Sequence, residues 1–188
     1  SEEWVQEAEK RGLPNIKSTP EALKAFITDK SNDVFSKNNV FNNQELHSRY
    51  HIGLENYIKK IQIESRVMGD LAVNHIVPTA IKYQNILLEN ASKLIELFGR
   101  DNDTVKSQIN TIQTISEHIH SIKENTDNMI EARKKGNNAN TIEETASIYN
   151  QEVLPYFEII RRDVDKLELM ADDMLWTLPK YRELLFIK

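Results

Sequence analysis

The chain has 188 residues and a formal net charge of -5, with 24 basic and 29 acidic side chains. That balance excludes the clustered basic surface that a phosphate backbone requires, so no nucleic-acid partner is expected. Cysteine is absent, which excludes disulfides, thiolate metal sites and cysteine nucleophiles.

Residues 1–42 predict short helices joined by loops. The charged start SEEWVQEAEKRG lacks the apolar core of a signal peptide, and its first part, Glu2–Arg11, has the pattern of a short helix closed by Gly12. In STPEALKAF, Pro20 stands just inside a second helix start, and a third short helix is predicted at about Asn32–Lys37.

From Asn43 to Gly99, apolar and small residues recur at steps of three and four, which predicts one very long helix. Pro78 is the expected kink because it lacks a backbone N–H. His75 falls on the predicted stripe, so we expect a hydrogen-bonded core or interface histidine. The stripe comprises Leu54, Ile58, Ile61, Ser65, Met68, Ala72, His75, Thr79, Tyr83, Ile86, Asn90, Leu94 and Leu97.

A second long helix is predicted from a cap at Asp101 or Asp103 to Gly136, where the basic stretch ARKKG resembles a helix ending. Its predicted stripe comprises Val105, Ile109, Ile112, Ile115, Ile119, Ile122, Thr126 and Met129. The uninterrupted spacing of this stripe indicates a helix with one buried face.

The last long helix is predicted from Ile142 to about Met174, with Thr141 and Glu144 as a capping box and Pro155 as a kink. Its stripe after the kink comprises Ile160, Val164, Leu167, Ala171 and Met174. Residues 43–175 are therefore predicted to form an all-α, elongated antiparallel bundle of about three long helices with coiled-coil-like packing.

Residues 176–188 are predicted to be a docking tail. Pro179 breaks the preceding helix and is placed to open a short new turn. The candidate docking residues are Trp176, Leu178, Tyr181, Leu184, Leu185 and Phe186. Such a cluster left in water favours aggregation, so we expect it to meet a prepared apolar surface, either the base of its own bundle or another domain or subunit.

Two groups of residues were considered as metal ligands. His47, His51 and Glu55 are spaced by four residues on one helix, but structural zinc sites draw their ligands from more than one element, so a solvated or interface face is predicted. Glu117 and His120 form the E-x-x-H unit of di-iron bundles, which need two such units and two further glutamates. The sequence contains one such E-x-x-H unit, so Glu117 and His120 are predicted to lie at the edge of the buried stripe.

No nucleotide-binding or nucleophile motif occurs in the sequence, and DNDTVKSQINTI lacks the glycine and the final glutamate of a calcium loop. We therefore predict no catalytic, cofactor-binding or metal-binding residue in this chain. No apolar run is long enough to cross a membrane, so no membrane partner is expected.

Three stretches, taken together and in order, resemble the C-terminal part of type III glutamine synthetases, the large bacterial form of the enzyme. They are SEEWVQEAEKRGLPNIKSTPEAL, ELHSRYHIGLENYIKKIQIESRVMGDLAVNHIVPTAIKYQ and WTLPKYRELLFIK. The resemblance covers most of the chain and is loosest over about residues 101–140. It departs from the family pattern at His51, where an acidic residue is expected, and at Thr177, where a proline is expected.

The resemblance implies a cytoplasmic parent enzyme that joins ammonia to glutamate through a γ-glutamyl phosphate, using ATP and a divalent metal, magnesium or manganese. It also implies an assembly of two stacked hexameric rings. The family residues that bind ATP, glutamate, ammonia and metal belong to upstream domains, and none of them maps onto this chain. We therefore expect an excised domain that is itself inactive, with residues 1–42 at the junction to the catalytic domain.

The leading interpretation is a structural and oligomerisation domain of this nitrogen-metabolism enzyme, with the upstream catalytic domain and neighbouring subunits as partners. One alternative is a free-standing, coiled-coil-like adaptor that binds a different protein through its stripe. A second alternative is a metal-binding helical bundle that uses Glu117 and His120.

Overall fold

The computed structural model describes residues 2–185, and all regular secondary structure in that range is helical. This confirms the all-α prediction. The α-helices are α1 (Glu2–Lys10), α2 (Thr19–Leu23), α3 (Asp29–Lys37), α4 (Asn43–Leu71), α5 (Val77–Phe98), α6 (Asp103–Asn137), α7 (Ile142–Ile148), α8 (Pro155–Met170) and α9 (Tyr181–Leu184). Within the described range, no helix has the length and apolar character needed to span a bilayer.

Packing divides the chain into two compact units. Unit 1 comprises residues 1–62 and 134–151, and unit 2 comprises residues 63–133 and 152–188. These units reflect packing alone. The predicted functional division at residues 43 and 176 therefore stays a prediction.

Local capping contacts explain where the long helices begin. At the start of α4, Asn42 Oδ1 accepts from the Glu45 N–H at 2.9 Å, and Glu45 Oε2 accepts from the Asn42 N–H at 2.8 Å. This reciprocal pair satisfies two backbone donors that a helix terminus leaves unpaired. The predicted cap of α6 was wrong, because Asn102 Oδ1, and not an aspartate, accepts from the Thr104 N–H at 2.9 Å.

The start of α7 follows the predicted capping box in part. Thr141 Oγ1 accepts from the Glu144 N–H at 3.2 Å, as expected for an N-cap threonine. The carboxylate of Glu144 accepts from the N–H of Asn140 at 3.1 Å, one residue before the cap. Both contacts fix the direction in which the chain enters α7.

A π-helical turn at Ala72–Ile76 separates α4 from α5, just before Pro78 in the first turn of α5. Here the Val77 N–H bonds the Ala72 carbonyl, five residues back. Pro78 has no N–H to continue the α-helical ladder, so a wider turn takes up the break. A second π-helical turn, Tyr149–Val153, likewise precedes a proline, Pro155. The α-helix is therefore interrupted close to both of the prolines where a break was predicted.

The π turn before Pro78 advances the buried face by one residue. Ile76 is buried at 5% exposure and His75 is exposed, so His75 does not lie in the core of this chain, and the alternative of an interface histidine stays a prediction. Along α5, Ala91 is buried, whereas Ile86 is 53% exposed. The predicted stripe positions that are exposed in the structure are His75, Ile86, Asn90 and Leu97.

The core of unit 1 forms where α4 packs against α7 and α2. Tyr50, Leu54 and Ala146 are its buried centre. The half-buried side chains around them are Leu23, Ile27, Tyr57, Ile58 and Ile142. Four of these eight residues come from α4, so the first half of the predicted long helix is the spine of this unit.

Gly136 stands in the last turn of α6, which ends at Asn137, one residue after the predicted end. A side chain there would approach the ring of Tyr149 to 2.8 Å, because this ring packs directly on the backbone of α6. Tyr149 is fully buried, and its hydroxyl donates to Asn137 Oδ1 at 2.6 Å and accepts from Gln62 Nε2 at 3.2 Å. The glycine therefore serves close packing and not a change of backbone direction.

In unit 2, α6 runs antiparallel to α4 and α5. Gly69 in α4 lies beside Thr126 in α6, where an added side chain would meet the Thr126 methyl at 3.4 Å. Further along, Gln84 in α5 donates to the Ile112 carbonyl at 2.9 Å and to Ser116 Oγ at 2.5 Å. The two contacts run in opposite sequence directions, which confirms antiparallel packing for this pair of segments.

The predicted stripe of α6 forms the core of unit 2. Its fully buried members are Val105, Ile115, Ile122, Thr126 and Met129. The stripe of α8 is confirmed at Ile160 and Leu167, but the helix ends at Met170 and Met174 is 91% exposed. Ala171 takes an extended backbone conformation, which ends the helix four residues before the predicted position.

Candidate interaction surface

The structure places the predicted metal-ligand candidates at the surface. His47, His51 and Glu55 are exposed along α4, and Glu55 Oε2 accepts from Lys59 Nζ at 3.3 Å. Over the part of the chain that the structure describes, no three histidine, aspartate or glutamate side chains are grouped to hold a metal ion.

Glu117 and His120 on α6 are also exposed. Glu117 Oε1 accepts from Gln113 Nε2 at 3.1 Å, and His120 Nε2 lies 3.8 Å from Glu124 Oε2. Each contact joins residues on the same helix, so the E-x-x-H unit meets no ligand from a second element in the described structure.

The sequence interpretation missed a buried polar cluster between α6 and α8 in unit 2. Asp163 is 4% exposed, and its Oδ1 lies 3.0 Å from His118 Nδ1. Ser121 Oγ donates to Asp163 Oδ2 at 2.6 Å, and Asn125 Nδ2 donates to the Ser121 carbonyl at 2.7 Å. Every oxygen of the buried carboxylate therefore has a partner, as burial of a charge requires.

The order of contacts argues against nucleophilic chemistry in this cluster. A serine nucleophile needs a hydrogen bond to its general base, and here both Ser121 and His118 bond the carboxylate of Asp163 instead. The sequence did hold a signal, because Asp163 stands three residues after Ile160 and four before Leu167, on the buried stripe. A charged residue at such a position predicts a paired partner.

Unit 1 has a comparable polar contact across its helices. Tyr57 Oη on α4 donates to Asn150 Oδ1 at 2.9 Å. Burial raises the pKa of the Tyr57 hydroxyl above its ordinary value, because the charged phenolate is poorly solvated there. This contact fixes packing and offers no reactive group at neutral pH.

Unit 2 contains an apolar cavity, which we call the α4–α8 groove. Its volume is about 500 Å³. It is lined by Ile63, Glu64, Val67, Met68, Leu71, Ala72, Ile76, Phe157, Ile160, Arg161, Val164 and Leu178. Ile63 is 62% exposed and Val67 is 51% exposed, so one wall is open apolar surface. A concave apolar surface of this kind is typical of a binding site.

The tail is held against the end of α8 by Lys180. Its Nζ donates to the Glu168 carbonyl at 2.9 Å and to the carboxylate of Asp173, and it lies 5.7 Å from the centre of the Trp176 ring. Trp176 is half-buried, and Leu178 lines the α4–α8 groove. These contacts position the first part of the predicted docking segment.

The later docking candidates differ from the first ones. Leu184 is 68% exposed and Leu185 is 78% exposed. The short helix α9 follows Pro179, in agreement with the predicted new turn. The predictions for the side chain of Tyr181 and for Phe186 lie outside what the structure describes.

Comparison with known proteins gives a consistent result along the whole chain. The family described as glutamine synthetase C-terminal domain matches residues 1–94. A glutamine synthetase of Bacteroides fragilis is 47% identical over 190 residues, and one of Butyrivibrio fibrisolvens is 31% identical over 186 residues. A type-3 glutamine synthetase of Dictyostelium discoideum is 29% identical over 190 residues.

The matches cover 99% to 100% of this chain but only 26% of each relative. The chain therefore spans about a quarter of the length of the curated relatives it matches. The resemblance noted in the sequence is confirmed.

Proposed function

The chain belongs to the glutamine synthetase C-terminal domain family, and we propose that it is a non-catalytic structural and oligomerisation domain of a longer glutamine synthetase. The observation that carries this proposal is the open α4–α8 groove, whose wall includes the exposed side chains of Ile63 and Val67. Apolar side chains that stand exposed together on a concave surface are typical of an interaction site.

In this proposal, the parent enzyme makes glutamine in two steps in the cytoplasm. The γ-carboxylate of glutamate attacks the γ-phosphorus of ATP and ADP leaves, giving a γ-glutamyl phosphate. Ammonia then attacks the acyl carbon, a proton is lost, and phosphate leaves. The divalent metal, magnesium or manganese, would neutralise phosphate charge in the catalytic domain, and no residue of this chain is assigned to either step.

The work of this chain would be to hold subunits and domains together. Residues 1–42 would form the junction with the catalytic domain, residues 43–175 the helical support, and residues 176–188 the docking tail. Ring assembly of two stacked hexamers is the arrangement that the family resemblance implies for the parent. The exposure of Leu184 and Leu185 supports an apolar contact for the tail.

The test uses the parent enzyme and this chain side by side. The 188-residue chain, supplied with magnesium, ATP, glutamate and ammonia, should form no glutamine above background. The parent truncated after Thr177 should lose its native assembly in analytical ultracentrifugation and lose activity with it. Its catalytic domain should still bind ATP in calorimetry.

Two results would overturn the proposal. Glutamine formation by the pure 188-residue chain would place chemistry within it. A truncated parent that keeps its assembly and full activity would remove the structural role. Genomic DNA separates the adaptor alternative, because a start codon directly before Ser1, in place of an in-frame catalytic domain, would favour a free-standing protein.

A further inference from the structure

A second cavity in unit 2 lies between α4 and α6, and we call it the α4–α6 groove. Its volume is about 320 Å³, which suits a small ligand, since small-molecule sites commonly have volumes of about 300–1,000 Å³. Two basic and two acidic residues stand in its lining. The lining includes Arg66, Gly69, Asp70, Thr126, Asp127 and Arg133.

The two acidic residues lie at one level of this groove. Gly69 of α4 and Thr126 of α6 are side by side, and the two helices run antiparallel. Asp70 directly follows Gly69, and Asp127 directly follows Thr126. Both carboxylates therefore belong to the level of the contact between Gly69 and Thr126.

The two basic residues lie together on one side of that level. Arg66 precedes Gly69 by three residues, and Arg133 follows Thr126 by seven. In antiparallel helices these are the same direction, and a rise of about 1.5 Å per residue places the two backbones about 4.5 Å and about 10 Å from the contact. The groove therefore has an acidic end and a basic end.

The charges in the groove do not neutralise each other. Arg66 and Asp70 stand four residues apart on one face of α4, yet no ion pair joins them. Among the side chains that the structure describes, Arg66, Asp127 and Arg133 make no hydrogen bond or ion pair. Asp70 Oδ1 accepts from Asn74 Nδ2 at 2.6 Å, but this neutral amide leaves the charge of Asp70 uncompensated. An electroneutral ligand with one positive and one negative group matches such a lining.

A buried hydroxyl in the lining also lacks a partner. Thr126 is 1% exposed, and its Oγ1 is a buried side-chain oxygen without a hydrogen-bond partner in the described structure. A buried polar atom without a partner lowers stability, so its presence in a lining residue calls for a reason beyond the fold. A polar ligand seated in the groove would give it one.

We propose that the α4–α6 groove binds a free α-amino acid in its zwitterionic form. The ammonium group of the ligand donates to the carboxylates of Asp70 and Asp127, and its carboxylate accepts from the guanidinium groups of Arg66 and Arg133. Arginine can give two parallel hydrogen bonds to a carboxylate, which fixes the orientation of the ligand. This binding site goes beyond the proposed structural role and does not depend on it.

An NMR titration of the 188-residue chain tests the site. L-glutamine and L-alanine, added separately, should shift the backbone amide signals of Gly69 and Thr126 until the shifts saturate. Two analogues of L-glutamine separate the two ends of the groove, because glutaramate lacks the ammonium group and L-glutaminamide lacks the carboxylate. Each analogue should bind at least about 10-fold more weakly than L-glutamine.

Two variants remove one charge from each end of the groove. Arg66→Gln and Asp127→Asn should each weaken the binding of L-glutamine by about 10-fold or more. Both side chains are exposed, so circular dichroism should show that both variants stay folded. Lys82→Gln and Glu96→Gln on α5 are matched controls, since these residues are exposed and lie outside the groove lining. Both controls should bind L-glutamine as the wild type does.

Four results would overturn the proposal. The first is a wild-type chain whose Gly69 and Thr126 signals respond to neither amino acid. The second is an analogue that binds as tightly as L-glutamine, because recognition of both charged groups would then be absent. The third is unchanged binding in both groove variants, and the fourth is an equal loss in the controls. The structural role is tested by truncation of the parent enzyme, so the two proposals fail separately.

Discussion

Asp163 on α8 holds His118 on α6, with 3.0 Å between Asp163 Oδ1 and His118 Nδ1. Ser121 occupies the second carboxylate oxygen at 2.6 Å. Removing a hydrogen-bond partner from this buried carboxylate should lower the stability of the fold, because water does not replace the lost partner. The cluster therefore specifies how α8 packs on α6.

Replacing Asp163 with Ala should destabilise the chain by about 1–3 kcal/mol or more, because His118 and Ser121 are then left without their partner. Urea unfolding followed by circular dichroism measures the change. Asp165→Ala is the matched control on the same helix, and its 3.6 Å contact with Arg161 is partly exposed. The control should cost less than about 1 kcal/mol. Equal losses for the two variants would contradict a structural role for the cluster.

Replacing Thr126 with Val should stabilise the folded chain. Among the described residues, its Oγ1 is the buried side-chain oxygen that has no hydrogen-bond partner. A methyl group of similar size removes that penalty and should raise the free energy of unfolding by about 1 kcal/mol. Thr126→Ser is the control, since it keeps the hydroxyl and loses the methyl that faces Gly69. A Val variant less stable than wild type would mean that a water satisfies the hydroxyl.

Gly136→Ala should destabilise the chain, although alanine is the better helix former by about 1 kcal/mol. The new Cβ would stand 2.8 Å from Cε2 of Tyr149, whose buried ring is fixed by its hydrogen bonds to Asn137 and Gln62. Overpacking of this kind costs about 1–3 kcal/mol. Thermal unfolding gives the sign.

Gly69→Ala supplies the comparison for that experiment. Its Cβ would meet the Thr126 methyl at 3.4 Å, which is an ordinary contact. This variant should be neutral or more stable by up to about 1 kcal/mol. If Gly136→Ala is also stabilising, the Tyr149 ring moves more easily than its contacts indicate.

Ile61→Ala and Ile86→Ala should differ strongly in stability. Ile61 is 6% exposed, so its truncation should cost about 2–5 kcal/mol. Ile86 is 53% exposed, and its truncation in the isolated chain should cost less than about 1 kcal/mol. Lys59→Ala, off the stripe, should cost less than about 0.5 kcal/mol. Similar losses of stability for the two variants would show that Ile86 is buried and that the buried face of α5 is not the one described.

Several features of this protein are local and were therefore predictable from sequence. The stripe of α6 repeats without interruption from Val105 to Met129, so its buried face follows from helical geometry alone. The threonine cap of α7 and the breaks before Pro78 and Pro155 depend on residues within one turn. The family resemblance was likewise visible in three sequence stretches taken in order.

Contacts between distant residues decided other features. Asp163 stands 45 residues from His118 in sequence, and only packing of α8 on α6 shows that its charge is satisfied. Gly136 was recognised as the end of α6 to within one residue, but only the structure shows that its missing side chain makes room for the ring of Tyr149. Leu178 came to line a groove whose other walls belong to α4, α8 and the π turn between α4 and α5.

The buried face of α5 shows the limit of the sequence argument most clearly. The spacing of apolar residues predicted the helix and Pro78 predicted its break, and both are present. The π turn at Ala72–Ile76 inserts one residue, which replaces His75 by Ile76 in the core and turns Ile86 outward. A proline in the sequence predicts that the backbone hydrogen bonds of the helix are interrupted. It does not predict whether the helix bends or forms a wider turn. Tertiary packing made that choice, because the wider turn buries Ile76, which lines the same groove as Phe157 and Ile160 of α8.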